Sequence, residues 1–555
     1  MSENRQIARA AGLVAFFTFI SRVAGLVRDA VVGYFFGTGL AADAFFVAFR
    51  IPNLLRRFVA EGAMSTAFIP IFTEYWTRRS RREALEAAWV LATTLAVVVT
   101  AIATAGVVLA PGLTRWFAPG FAADAEKFEL TVRLTRWTFP YIALVSLVAL
   151  CSGILNSLRH FAAPAMSPIF LNLAMIAAAL ASPWFHPPVQ ALAYGVLLGG
   201  VVQLITQLAP LWRMGIVLRP RWDLGHEAVG RAGRLLLPMM LGAAVYQINL
   251  LVDTILASAL PSGSVSYLWY ADRVFEFPLG LFAVALGTAA LPSFSAQAAR
   301  GDFEAMRRSL LFSMRLTSFI VLPASVGLAL LAVPITSVLF ERGAFAYPHA
   351  VQTARALAAF AVGLWPVALL RVVVPAFYAL HDTRTPVWTA AAAFVVNVLA
   401  SLSLMGPVDG SGDSAALAFL AWATHQFGVM DLRHAGLALA TSVAAAVNLG
   451  LLLTQLRRRF GSLGIGELRV PLLRDGAATL AMVPVVWWVH NLWAWDAPSP
   501  LWQRSLVLGG AVGAGCFAYG ASHWLFGGRE IATLVQLIRD RLRPQGRVAT
   551  NLDAP

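Results

Sequence analysis

Apolar runs recur along the whole of this sequence, most of them reaching the roughly 20 residues that a helix needs to cross about 30 Å of hydrocarbon. Few architectures tolerate that pattern. Lipid offers no partner to a backbone N–H or C=O, so a span must be a helix or part of a closed barrel, and barrel strands are only about half as long. With 59% hydrophobic and 13% charged residues, against about half and a quarter in soluble domains, the chain reads as an all-α polytopic membrane protein. Its formal charge of +14 would suggest nucleic acid in a soluble protein. Here the basic residues stand mostly between the apolar runs, where they act as topology signals, and no nucleic-acid partner is expected. Cys151 and Cys516 lie far apart in separate apolar runs, so neither a disulfide framework nor a thiolate metal site is indicated. The N-terminus lacks a short apolar core with a small-residue cleavage site and is read as a first span.

Length, Gly/Pro punctuation and charge clusters place about fourteen helices, at roughly 10–36, 41–73, 84–111, 130–158, 163–184, 189–213, 233–260, 265–295, 309–340, 351–380, 386–406, 434–456, 471–493 and 501–525. The stretch 414–429, SAALAFLAWATHQFGV, is too short to cross and is a candidate interfacial helix. Connections after even-numbered spans are basic, as in RRSRR (78–82), RGDFEAMRR (300–308) and RRR (457–459), whereas those after odd-numbered spans carry almost no Lys or Arg. The positive-inside rule then puts both termini in the cytoplasm.

STAFIP (65–70) and GTAALP (287–292) end the second and eighth spans, with Pro52 and Pro278 upstream at similar distances. The repeat supports two six-helix lobes, 1–213 and 233–456, joined by a linker at 214–232, with an insert at about 407–433. Residues 471–525 add two helices and 526–555 a basic tail. Transporters built from repeats place substrate at the repeat interface and line it with interrupted helices. Chance is the competing explanation, since Thr-Ala and Pro are frequent in membrane helices.

An arginine at mid-span costs about 2.5–3.5 kcal/mol on insertion scales, yet several spans carry one. In the first, seven-residue spacing stacks Arg22 with Asp29 and Ser21 with Arg28. In the second, Asp43, Arg50 and Arg57 form a row, with Arg56 beside it and Glu61 one turn beyond Arg57. In the eighth, WYADRVFEFP puts Asp272 and Arg273 one turn before Glu276. Two readings stand side by side. The arginines snorkel to headgroups while acid–base pairs hold helices together, or the charges line a polar cavity whose permanently charged guanidiniums suit a phosphate or carboxylate. Their concentration in the first helices of both repeat halves fits the cavity. No HExxH, P-loop or GxSxG motif is present, and the nine histidines are scattered; a transporter is expected, with a membrane hydrolase or transferase as the alternative.

The stretches SRVAGLVRD, ADAFFVAFRIPNLLRRFVAEGAMSTAFIPIFTEY, YADRVFEFPLGLFAVALGTAALP and FERGAF resemble the signature segments of the MurJ/MviN family, lipid II flippases of the multidrug/oligosaccharidyl-lipid/polysaccharide exporter superfamily. The resemblance implies a multi-pass protein of the bacterial cytoplasmic (inner) membrane, with two lobes around a central cavity and 471–525 forming a groove for a polyprenyl tail. It implies alternating access that carries lipid II, an undecaprenyl-diphosphate-linked disaccharide-pentapeptide, to the outer leaflet for cell wall synthesis. Membrane lipids and the cell-wall synthesis machinery are the other partners to expect. The family's cavity arginines fall on Arg22, Arg28, Arg56 and Arg273, with Asp43 also functionally important; from their own charge and placement, Asp29, Asp43, Glu61, Asp272 and Glu276 are the acidic or gating groups expected to pair with the arginines when the cavity is empty. No organic cofactor is implied. Some relatives bind sodium, for which Asp253 and Asn397 are the counterparts here; Ser401 stands where a second carboxylate is expected, and membrane potential is the alternative drive. An exporter of another lipid-linked oligosaccharide, or of drugs, is the alternative function.

Overall fold

The computed structural model describes residues 3–56, 64–410, 415–461, 464, 466–497, 499–528 and 530. Arg57 and Glu61 lie outside these residues, as does the side chain of Arg56. The chain runs as α1 (Glu3–Phe36), α2 (Leu40–Arg56), α3 (Met64–Arg78), α4 (Arg81–Val108), α5 (Ala110–Phe117), α6 (Ala125–Thr138), α7 (Tyr141–Ser157), α8 (Ala162–Leu180), α9 (Gln190–Arg213), α10 (Glu227–Ser258) and α11 (Ser264–Pro278). It continues as α12 (Val284–Ala299), α13 (Phe303–Leu330), α14 (Ala332–Phe340), α15 (Tyr347–Val362), α16 (Leu364–Ala379), α17 (Arg384–Leu404), α18 (Ala415–Phe427), α19 (His434–Phe460), α20 (Gly466–Asn491) and α21 (Leu501–Leu525). No strand occurs among the described residues.

Nine helical stretches among the described residues are long and apolar enough to cross a membrane, or ten if α15 and α16 are one span. Several expected spans are broken. The 130–158 run divides into α6 and α7 at Phe139–Pro140, where proline removes a donor from the helical ladder. The 265–295 run divides after Pro278 into α11, a π-helical turn at Leu279–Ala283, and α12. The 309–340 run is α13 followed by α14. The stretch around 414–429 forms α18, at 13 residues too short to cross.

Two compact units emerge. The first comprises residues 1–277, 339–360 and 387–444. One of its cores packs Phe68, Phe72 and Tyr75 of α3 against Ala84, Ala88 and Leu91 of α4 and Cys151, Ile154 and Leu155 of α7. Small residues bring helices close where lipid supplies no hydrophobic drive for association. A Cβ on Gly195 of α9 would lie 2.5 Å from Ala178 Cβ of α8, and one on Gly199 would lie 2.7 Å from Leu171 Cδ1. These contacts fix α8 against α9.

The second unit comprises residues 278–338, 361–386 and 445–555. Its larger core joins Phe294 of α12, Leu310 and Met314 of α13, Val372 and Phe377 of α16, and Leu452 and Leu456 of α19. A smaller core binds α20 and α21 to α13 through Met482, Val486, Tyr519 and Phe319. A polar contact reinforces that join, with Tyr519 donating to the Phe319 carbonyl at 2.8 Å; the buried His523 Nε2 stands 3.2 Å from both Asp475 Oδ1 and Glu530 Oε2 without a hydrogen bond to either.

Candidate functional site

Within the first unit, α1, α2, α7, α8, α9 and α11 enclose a cavity of about 490 Å³. Its charged wall is built from neighbours on two helices. Arg28 and Asp29 are both buried, and Arg28 donates from Nε and Nη2 to Asp29 Oδ1 at 3.0 and 2.8 Å. From α11, Arg273 Nε reaches within 3.6 Å of Asp29 Oδ2, and its Nη1 donates to Glu276 Oε2 at 3.3 Å. Cation and anion thus alternate from Arg28 through Asp29 and Arg273 to Glu276. Paired this way, the arginines are not bare charges in a low-dielectric space. Arg22 is exposed, and its described bond is a long one, 3.4 Å from Nη1 to the Glu276 carbonyl. It is the guanidinium most available to a ligand.

Asn172, a lone amide in the apolar helix AAPAMSPIFLNLAMIAAAL, fixes this wall to α8. Its Oδ1 accepts from Arg28 Nη1 at 3.0 Å and its Nδ2 donates to the Ser21 carbonyl at 3.0 Å. Gln203 also lines the cavity and is anchored by donating Nε2 to the Ser167 carbonyl at 2.9 Å. Neither amide was singled out by charge or spacing; the available signal was a polar group in mid-span, which is costly unless partnered. Asp272 lines a smaller adjoining chamber with Arg50, Trp269 and Gln247.

Asp43 stands elsewhere. It is buried at the start of α2, where Oδ1 accepts from the Ser266 N–H at 2.9 Å and its hydroxyl at 2.6 Å, and Oδ2 from the Gly263 N–H at 2.7 Å. It therefore caps the N-terminus of α11 from another helix, meeting the unpaired N–H groups and the positive end of that helix. Lys127 Nζ of α6 lies 2.8 Å from Asp43 Oδ2, 3.2 Å from Ser262 Oγ and 4.1 Å from the centre of the Phe121 ring. Lys127 is the only lysine in the sequence. Its compact ammonium, unlike a planar guanidinium, can serve three directions at once in a narrow buried space. Asp43 thus holds the start of α11, the helix that carries Arg273 and Glu276.

Asp253 and Asn397 meet, as do two further groups. Asn397 Nδ2 donates to Asp253 Oδ1 at 3.0 Å and to Asn249 Oδ1 at 2.8 Å. Asn397 Oδ1 and, one turn on, Ser401 Oγ are buried without hydrogen-bond partners. One carboxylate, two amide oxygens and a hydroxyl form the oxygen-rich, weakly charged donor set that a monovalent hard cation accepts.

A helical membrane protein whose guanidinium-lined cavity is neutralised by its own carboxylates belongs to the class of carriers rather than enzymes. The comparisons narrow the class. The family model described as lipid II flippase MurJ matches residues 32–503. The probable lipid II flippase MurJ of Vibrio cholerae is 36% identical over 95% of this chain and 97% of its own length. The lipid II flippase MurJ of Burkholderia cenocepacia is 37% identical over 81% of this chain and 84% of its own. A solved structure of lipid II flippase MurJ in an inward closed conformation superposes with a TM-score of 0.73 at 23% identity, covering 96% of this chain and all of that one. An inward-facing MATE transporter of the MOP superfamily matches with a TM-score of 0.59 at 14% identity, over 80% of this chain and 98% of its own. The chain belongs to the MurJ family.

Proposed function

We propose that this protein flips lipid II, the undecaprenyl-diphosphate-linked peptidoglycan precursor, from the cytoplasmic to the outer leaflet of the bacterial inner membrane by alternating access. The observation that carries the reading is the wall of Arg22, Arg28, Asp29, Arg273 and Glu276 around a cavity of about 490 Å³. A diphosphate stays charged and cannot cross hydrocarbon. Guanidinium donors replace its water with short, charge-assisted hydrogen bonds while the polyprenyl tail stays in apolar surroundings. Arg22 meets the diphosphate first; Arg28 and Arg273 follow by exchanging Asp29 and Glu276 for phosphate oxygens. Release is the reverse exchange, with the carboxylates reclaiming their partners. The family resemblance alone adds Arg56, whose side chain lies outside the described residues, as a further diphosphate ligand.

Both termini lie in the cytoplasm, and the machinery that polymerises the delivered precursor is the partner on the outer side. Sodium held by Asp253, Asn249, Asn397 and Ser401 supplies part of the drive, a reading supported by the two orphaned oxygens there. In liposomes carrying the purified protein, replacing sodium by choline is expected to slow lipid II translocation severalfold, and Asp253→Asn to abolish that difference. Equal rates in the two salts would leave membrane potential as the drive.

The central test is translocation in cells depleted of their own flippase, at matched membrane levels. Wild type is expected to restore outer-leaflet lipid II, and Arg22→Ala and Arg273→Ala to lose at least tenfold, the order of one charge-assisted hydrogen bond. Variants as active as wild type would make the charges structural.

A further inference from the structure

The small chamber beside the main cavity is lined by two buried side chains that each carry one polar atom without a partner. Gln247 of α10 is 6% exposed and Trp269 of α11 is 4% exposed; Gln247 Oε1 and Trp269 Nε1 both lack a hydrogen bond. An unpaired buried polar atom forfeits the hydrogen bond it would make in water, so a chamber lined by two of them calls for a group that completes them. The chamber, about 50 Å³, shares Asn53, Arg273 and Glu276 with the main cavity. That space takes a few waters or one small polar substituent, not a ring.

The chemistry of the walls selects the substituent. The faces of the indole are already occupied, by the stacked Phe46 ring at 4.7 Å between centroids and by the guanidiniums of Arg273 and Arg50, whose Cζ atoms lie 4.6 and 5.5 Å from the ring centre. Trp269 therefore offers its N–H edge rather than a stacking platform. One neutral donor and one neutral acceptor match a group that both accepts and donates, a hydroxyl or a secondary amide, and no anion is attracted by Gln247 Oε1. Because Arg273 borders both spaces, such a group must be attached close to the diphosphate.

We propose that this chamber is a saccharide subsite, in which Gln247 and Trp269 receive a hydroxyl or amide substituent of the sugar linked to the diphosphate, and so select glycosylated over bare lipid diphosphate. The inference rests on the lipid II reading of the main cavity. Through this subsite, a lipid carrier that has already delivered its sugar binds less well than a loaded one.

The test measures binding of undecaprenyl diphosphate and of undecaprenyl-diphosphate-linked disaccharide to the full-length protein in detergent, for wild type, Gln247→Leu and Trp269→Phe. Wild type is expected to prefer the glycosylated ligand. Each variant is expected to weaken that ligand by about three- to tenfold, the effect of one neutral hydrogen bond, and to bind undecaprenyl diphosphate as wild type does, which also reports that it is folded. Equal weakening of both ligands, or no weakening of either, overturns the subsite. Wild type that binds neither ligand overturns the lipid II reading itself, and wild type that binds both equally overturns the subsite alone.

Discussion

At the scale of single residues, the charged side chains were legible because a charge in a span is rare and spacing shows which face it shares. Their partners were less so. Lys127 has Asp124, Glu126 and Glu129 beside it in the sequence, yet its partner is Asp43, 84 residues away and brought to it only by packing. Asn172, Gln203 and Gln247 are neutral, and no periodicity distinguishes an amide that anchors a cavity wall from one that merely pairs two helices. The buried Asp43–Lys127 pair supports a firm expectation: breaking such a pair from one side costs about 3–5 kcal/mol. Lys127→Met should therefore lower the apparent unfolding temperature of the purified protein clearly. An unchanged melt would mean that Ser266 and Gly263 hold Asp43 without it.

Among the elements, existence was easier to read than continuity. The expected spans recur as helices, but prolines and a π turn divide several of them, and a hydropathy run does not record where the backbone bends. Close helix contacts were equally hidden, because a glycine in a membrane sequence looks the same whether or not a neighbour presses on it. The α8–α9 contact makes this testable. Gly195→Leu inserts a side chain where even a Cβ meets Ala178 at 2.5 Å, and overpacking of that kind costs roughly 1–3 kcal/mol. Since α8 also carries Asn172, the variant is expected to lose transport by more than tenfold while still reaching the membrane; full transport at normal level would show that α8 does not position Arg28.

For the molecule as a whole, the fold class followed from apolar run length and the absence of alternatives in lipid, whereas the number of crossings depends on how charged and broken helices are counted. The orientation reading rests on arginine placement and has a direct test. With Cys516 replaced by serine, a cysteine at Ser80, between α3 and α4, should react with an impermeant maleimide only after permeabilisation, and one at Gly410, ahead of α18, in intact cells. The reverse pattern would invert the topology. The solitary lysine has one more consequence. Apart from the terminal amine, a chain of 555 residues presents amine-directed reagents with a single target, locked behind Asp43 and the Phe121 ring. Acylation of that amine, followed over time, would thus register each opening of the α2–α6–α11 junction, without any label having been introduced.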